Sequence, residues 1–537
     1  MKNILKYFSI LALGGVLLLT TTGCYRDHSN ENLTDVPSFF VDTTGVTTTI
    51  RRQQFEPLQL SPTVVFEGNR GDLAFVWKVY REDPGMTGNP ADTIATTESL
   101  YISAITLQPD TYTIEFRAID RITGRIAVLL YTLVIEGNAG TGLMVLHDID
   151  GRVEICILRL THLQGLVTES SVARNLFSLA NPNFNSGGGA VGLGMYSSGS
   201  LNMIHLLTEG NIARLSPIDL LVIEEVNQLL APAPTAVRPQ RYFGPRYDGA
   251  LNSLGNALII NDGRVHPNPI LMANLLAGDL NPPFGSVLEL VSDGTQYVAA
   301  PWVAFGSGNY IIYDQLGMRF LTLGSMAVEL APVTYTAAAI NAKFDLRNIG
   351  KTMLYMTYGF GAAAVPALGR INYAVFRSPV DDGQRWLYII DFSSGLQTFR
   401  SVTKFDISSA PHIADALHFV VGSRGPTFFY ATENRIFQIR YQWDAPDDQI
   451  QDVIEVWPNI PAGEIITHIQ LSSTVGLDLP GQNVFETYMF IATYNQSTGE
   501  GKIYMLEMHP TSGVLTDTPV AVFEGFGRIR DLEFKPR

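Results

Sequence analysis

A chain of 537 residues, 46% apolar and only 16% charged, holds enough apolar material for more than one core. Its formal charge of −15, with no cluster of Lys and Arg, excludes nucleic acid or another polyanion as a partner. The 48 Gly and 29 Pro suit turn-rich β structure, and 2 Cys are too few for a disulfide framework.

The N-terminus reads as a leader. Lys2 and Lys6 accompany an almost wholly apolar run, Tyr7 to Leu19, which ends in Thr20-Thr21-Thr22-Gly23-Cys24. The run is too short and too N-terminal for a comfortable membrane span and fits a secretory leader. Gly23 is the small residue that a lipoprotein signal peptidase needs before cysteine, while Thr21 stands where Leu is usual. Residues 1–23 are therefore expected to be a lipoprotein signal peptide, with Cys24 the lipidated first residue of the mature chain. The other reading is a plain signal peptide followed by an incidental cysteine. Each acyl chain adds roughly 0.8 kcal/mol per buried CH₂, so several chains make a durable anchor. With Cys24 lipidated, Cys156 has no partner, and its place in the alternating Val153–Leu158 run predicts a buried thiol. The polar, aperiodic residues 24–46 read as a tether.

Residues 47–137 are expected to form an Ig-like β-sandwich. Leu73 to Tyr80 is rich in β formers around Trp77, and Thr111 to Ala118 alternates apolar and polar residues after a Pro109-Asp110 turn. Asp120 to Gly124 turns again into an apolar run, Ala127 to Ile135. Trp77 reads as the core plug of such a module.

From Gly142 onward a loose repeat recurs: an apolar strand, a turn rich in Asp, Asn or Gly, and a second strand. It is seen at Leu143–Leu158, Leu201–Leu215, Ala257–Val265, Asn309–Leu323, Tyr373–Phe392, Phe428–Tyr441 and Met489–Met508. These hairpins recur about every 58 residues, somewhat above a Kelch period. Regular hairpins without helical periodicity predict a β-propeller over residues 141–537, of seven blades, with a last strand near Arg528–Phe534 completing the first blade. The alternative is a pair of large irregular β-sandwiches. The fold class is all-β in either case.

Several stretches together resemble the PKD-like lipoproteins of Bacteroidetes. They are Cys24-Tyr25-Arg26-Asp27, Phe75-Val76-Trp77, Pro109-Asp110-Thr111-Tyr112, the Asp120 to Gly124 turn, Gly142 to Leu146 with Asp150-Gly151, and the C-terminal Phe523 to Arg537. The resemblance touches both ends of the mature chain. It implies a PKD-like domain followed by a propeller-like region, held at the outer membrane by a lipid on Cys24. Its periplasmic or surface face stays open. It also implies an accessory of a SusC/SusD-type nutrient-uptake system.

Motifs for chemistry are few. The 9 His are scattered, with His412 and His418 the closest pair in sequence, and no zinc-protease spacing occurs, so no metal is expected. His147-Asp148-Ile149-Asp150-Gly151 reads as a hairpin turn because the remaining calcium-loop ligands are lacking. No Gly-x-Ser-x-Gly elbow is present, and Asp381 to Trp386 resembles part of a structural Asp-box turn. Gly187-Gly188-Gly189 lacks the following Gly-Lys-Ser/Thr of a phosphate loop and reads as a flexible loop. No catalytic residue and no cofactor is expected.

The stretch Ala231 to Gly249 is stiffened by Pro232, Pro234 and Pro239 and crowded with Arg241, Tyr242, Phe243, Arg246 and Tyr247. Aromatic rings stack on the apolar faces of sugars while Arg bonds hydroxyls or carboxylates, so these residues, with Trp302, are the candidate ligand-binding set. Packing inside the fold is the competing explanation for each. Three functions remain open. The first is a non-enzymatic binding or scaffold protein for glycan or peptide. The second is a propeller hydrolase or lyase acting on polysaccharide, and the third is a purely structural envelope protein. Paired carboxylates in a central funnel would favour the second, an aromatic lining the first, and a plugged funnel the third.

Overall fold

The structure is a computed structural model describing residues 38–81, 92–137, 139–160, 171–198, 201–244, 257–268, 283–290, 296–306, 309–324, 329–333, 343–359, 371–392, 399–442, 450–472 and 486–535. The chain is all-β apart from short helical turns and divides into two compact units. The first takes the chain up to Arg52, Pro57–Ser103 and Thr111–Val134; the second takes Gln53–Glu56, Ala104–Asp110 and Ile135–Arg537. No described helix is long and apolar enough to cross a membrane.

The first unit is built on the long strands Leu73–Arg81, Thr111–Asp120 and, as far as Val134, Ile126–Glu136, which pair antiparallel in one sheet. Trp77 is fully buried, packs against Phe116 and Tyr131, and satisfies its indole N–H by donating to Thr97 O at 2.8 Å. It is the core plug that its surrounding β formers predict. The expected tether needs a correction at its C-terminal end. Phe39–Asp42 is a strand, paired antiparallel with Thr63–Phe66. The reason is local: Phe39 and Val41 are β formers with apolar partners, Phe39 meeting Phe66 edge-on at 5.3 Å and Val41 buried.

In the second unit each predicted hairpin is an adjacent antiparallel strand pair of its own small sheet, seven sheets in all among the described residues. Turn chemistry explains their registers. Asp150-Gly151 (φ 50° and 72°) and Asp262-Gly263 (φ 50° and 70°) occupy the left-handed conformations that a tight hairpin requires. Each sheet then adds a strand on its inner side. These strands are Ala190–Ser198, Pro239–Phe243, Ala299–Gly306, Thr352–Tyr358, His418–Val421, Glu464–Leu471 and Arg528–Lys535. They contact one another in sequence order, and Arg528–Lys535 touches Ala190–Ser198, so the circuit closes. Arg528–Lys535 also pairs antiparallel with Gly142–Ile149, as the terminal strand was expected to do. The last strand thus covers an edge that the first sheet would otherwise leave open.

The cores lie between successive sheets. Tyr310 and Ile312 pack toward Leu258 and Ile260, whereas Ile311 and Tyr313 pack toward Ala374 and Phe376. Alternate residues of one strand therefore enter two different cores, which is why the hairpins read as unbroken apolar runs. The glycines at 187–189 correct the expectation of a flexible loop. A Cβ on Gly187 would lie 2.8 Å from Gly210 Cα, so two backbones meet there at a distance only glycine allows.

Candidate functional site

The seven inner strands enclose a cavity of about 420 Å³, and every one of them contributes lining residues. One side is aromatic. Trp302 meets Tyr355 edge-on at 4.7 Å, and Tyr355 meets Phe419 at 5.7 Å, so rings from three successive inner strands form an arc in which Trp302 is partly buried and Tyr355 and Phe419 belong to the core behind it. Arg241, one strand earlier, holds its guanidinium 5.2 Å from the Trp302 ring centre. This is a cation–π contact at a partly buried site.

The other side is polar. The rings of His418 and His468 are 6.3 Å apart, and His468 Nε2 lies 3.9 Å from Asp531 Oδ1. Burial pushes the His418 imidazole down to about 4, helped by the neighbouring His468. Burial also lowers His468, against the pull of Asp531 and with a push from Arg241. Both rings are therefore neutral at pH 7. Asp531 is occupied, its Oδ2 accepting from the Leu193 amide at 2.8 Å and its Oδ1 from the Leu532 amide at 3.0 Å. Glu486 accepts from the Ser423 amide at 2.8 Å, the Ser423 hydroxyl at 2.7 Å and the Arg424 amide at 3.0 Å. Burial nevertheless raises its pKa. Arg530 Nε donates to Asp148 Oδ2 at 2.7 Å, and Asp148 Oδ1 accepts from the Ala190 amide at 2.8 Å.

The sequence-predicted set divides accordingly. Arg241, Phe243 and Trp302 line the cavity, while Arg246, Tyr247 and Cys24 lie outside the described residues. The expected binding loop is corrected in part, because Pro239–Phe243 is an inner strand. Pro239 is tolerated as its first residue, where a ladder donor is least needed. Tyr242 borders the cavity but is only 5% exposed, its ring stacked on His205 at 4.4 Å and lying where a side chain on Gly194 would stand. It serves the core between two sheets, so its ring face is not free for a ligand.

Other singled-out residues prove structural. Cys156 is buried and 3.2 Å from His147 Nε2, while His147 Nδ1 accepts the Gly527 amide. Burial pushes the thiol up to about 11 and the imidazole down to about 4, so the two meet as neutral groups and no thiolate forms. Asp381 Oδ1 accepts the Gly383 amide at 2.9 Å, which makes that acidic stretch a turn. Among the described residues no group of three metal-ligating side chains converges.

His418, His468, Asp531, Tyr355 and Phe419 escaped the sequence reading. The signal that points to them is the repeat itself: each sits on the inner strand beside a hairpin, one sheet away from its neighbour in the cavity.

No family model matches the chain, and no curated protein matches it. Among solved structures, the chain is similar to a quinonprotein alcohol dehydrogenase-like protein of Bacteroides thetaiotaomicron. The TM-score is 0.46 at 12% identity, over 94% of this chain and 100% of that one. AztD of Citrobacter koseri gives a TM-score of 0.34 at 13% identity, over 86% and 97%. The extracellular domain of a one-component system of B. thetaiotaomicron gives 0.36 at 9% identity, over 94% and 72%.

Proposed function

We propose that this chain is a lipid-anchored cell-envelope protein whose second unit, a seven-bladed propeller, binds a glycan or peptide in its central cavity. In this reading the protein serves a SusC/SusD-type uptake system at the outer membrane, and the first unit is the PKD-like sandwich of that lipoprotein family. The leader and Cys24 support the anchor, and the closed circuit of seven inner strands supports the blade count. The observation that carries the binding role is the partly buried pair Arg241 and Trp302 on one wall of the cavity, with the buried rings of Tyr355 and Phe419 behind them. Ring faces of this kind pack on the C–H faces of sugars, and a cation beside them fixes orientation. The acids Asp531 and Glu486 are held by backbone amides, an arrangement that favours capture over acid–base hydrolysis.

A glycan and peptide binding screen tests this, with reducing-end release assayed in parallel. Binding that is lost in Trp302→Ala supports the reading, and sugar release in place of stable binding overturns it. Cys24→Ser tests the anchor: the protein should leave the membrane fraction for the soluble one.

A further inference from the structure

We infer that the ligand of this cavity is a sugar carrying a carboxylate, received by the guanidinium of Arg241 against the Trp302 ring. This deepens the binding reading above and rests on it. Arg241 stands apart from the other charged residues that line the cavity. Arg530 is paired with Asp148, and Asp531 and Glu486 are taken up by amide and hydroxyl donors. Glu533 has its own interaction as well. The two imidazoles are discharged by burial. Among the described residues, Arg241 is therefore the one lining cation without a salt bridge; the Trp302 ring lies against its guanidinium and His468 is within electrostatic reach.

A partly dried guanidinium without an anion is costly, and a ring on one face lowers that cost only in part. What remains is its planar edge of N–H donors, which matches a carboxylate two-to-two. A ligand that carries a carboxylate on a ring with an apolar face answers that need, and Trp302 receives the apolar side of its ring. Hexuronates have this combination, and neutral hexoses lack the anion. The cavity, about 420 Å³, falls within the size range of small-ligand sites.

The test uses the full chain in detergent with disaccharides of galacturonate, glucuronate and mannuronate, each beside its neutral counterpart. Binding is read by calorimetry and by tryptophan fluorescence. At least one acidic disaccharide should bind about tenfold or more tighter than its neutral counterpart. Arg241→Gln should erase that preference, moving acidic affinity about tenfold and neutral affinity less than about threefold. Arg241→Lys, which keeps the charge but not the fork, should fall between. The inference is overturned if acidic and neutral sugars bind alike, or if Arg241→Gln keeps the preference. Neutral binding that Trp302→Ala abolishes, without any acidic preference, removes the carboxylate and leaves the cavity a binding site. No binding by any disaccharide overturns the inference, whereas peptide binding that Trp302→Ala abolishes leaves the cavity a binding site.

Discussion

Two apolar strands of this chain, Ile126–Glu136, which belongs to the first unit as far as Val134, and Tyr488–Asn495 in the second, look alike as sequence and sit in different surroundings. In the first, Ala127, Leu129, Tyr131 and Leu133 are buried while Ile126, Val128 and Leu130 stay 52%, 47% and 50% exposed. In the second, Met489 and Ile491 enter one core while Phe490 and Ala492 enter another. The number of buried faces is set by how many sheets lie alongside a strand, not by how apolar the strand is. The first arrangement spends apolar residues on solvent. The second is buried on both faces from Met489 to Thr493, so its central apolar positions are the least tolerant of a charge.

That contrast can be broken or sharpened by substitution. Ile491→Asp places a carboxylate between two sheets with nothing to pair it. It should cost more than about 4 kcal/mol and abolish the folded state, read by circular dichroism and soluble yield. Trp77→Ala empties the one large plug of the first unit and frees the Thr97 carbonyl. A loss of about 3–5 kcal/mol is expected in denaturant titration.

Acid should act on the second unit through its histidines, since the described residues of the first unit contain none. His147 is 2% exposed, and burial depresses its pKa to about 4. The unfolded chain takes up its proton below about pH 6.5, whereas the folded chain does not until about pH 4. Its contribution is therefore complete above 6.5 and is lost as pH falls through that window, by roughly 3 kcal/mol in total. His147→Gln should flatten the fall in urea midpoint between pH 7 and 4.5. The smallest effect is expected at the exposed face of the first strand. Leu130→Thr, which keeps a β former and adds no charge opposite Glu115, should shift stability by less than about 1 kcal/mol, and a larger loss would mean that this face is covered in solution.

Hairpins were the most legible part of the fold, because each carries its own turn residues and closes within a short span, as Asp150-Gly151 and Asp262-Gly263 do. Trp77 was legible for the same local reason, a large ring among β formers. The inner strands were less so. Pro239–Phe243 looked like a stiff loop because its Pro and Arg residues argue against a strand until Ala257–Asn261 supplies the pairing. Arg241 and Trp302 were named as candidates by residue type, yet nothing in their sequence positions places one over the other. Tyr242 was named on the same basis and proved to be core, since only the packing shows that Gly194 leaves room for its ring.

Composition, periodicity and turn chemistry, all properties of short segments, were sufficient by themselves to determine the all-β class, the seven hairpins and the terminal strand that returns to the first sheet. The tertiary structure alone decided which side chains share the cavity. Arg241, Trp302, Tyr355, Phe419, His468 and Asp531 come from six different strands, and they meet because the ring of sheets closes. Closure also decides charge: burial inside the ring discharges His418 and His468, backbone amides occupy Asp531, and Arg241 is left facing the cavity.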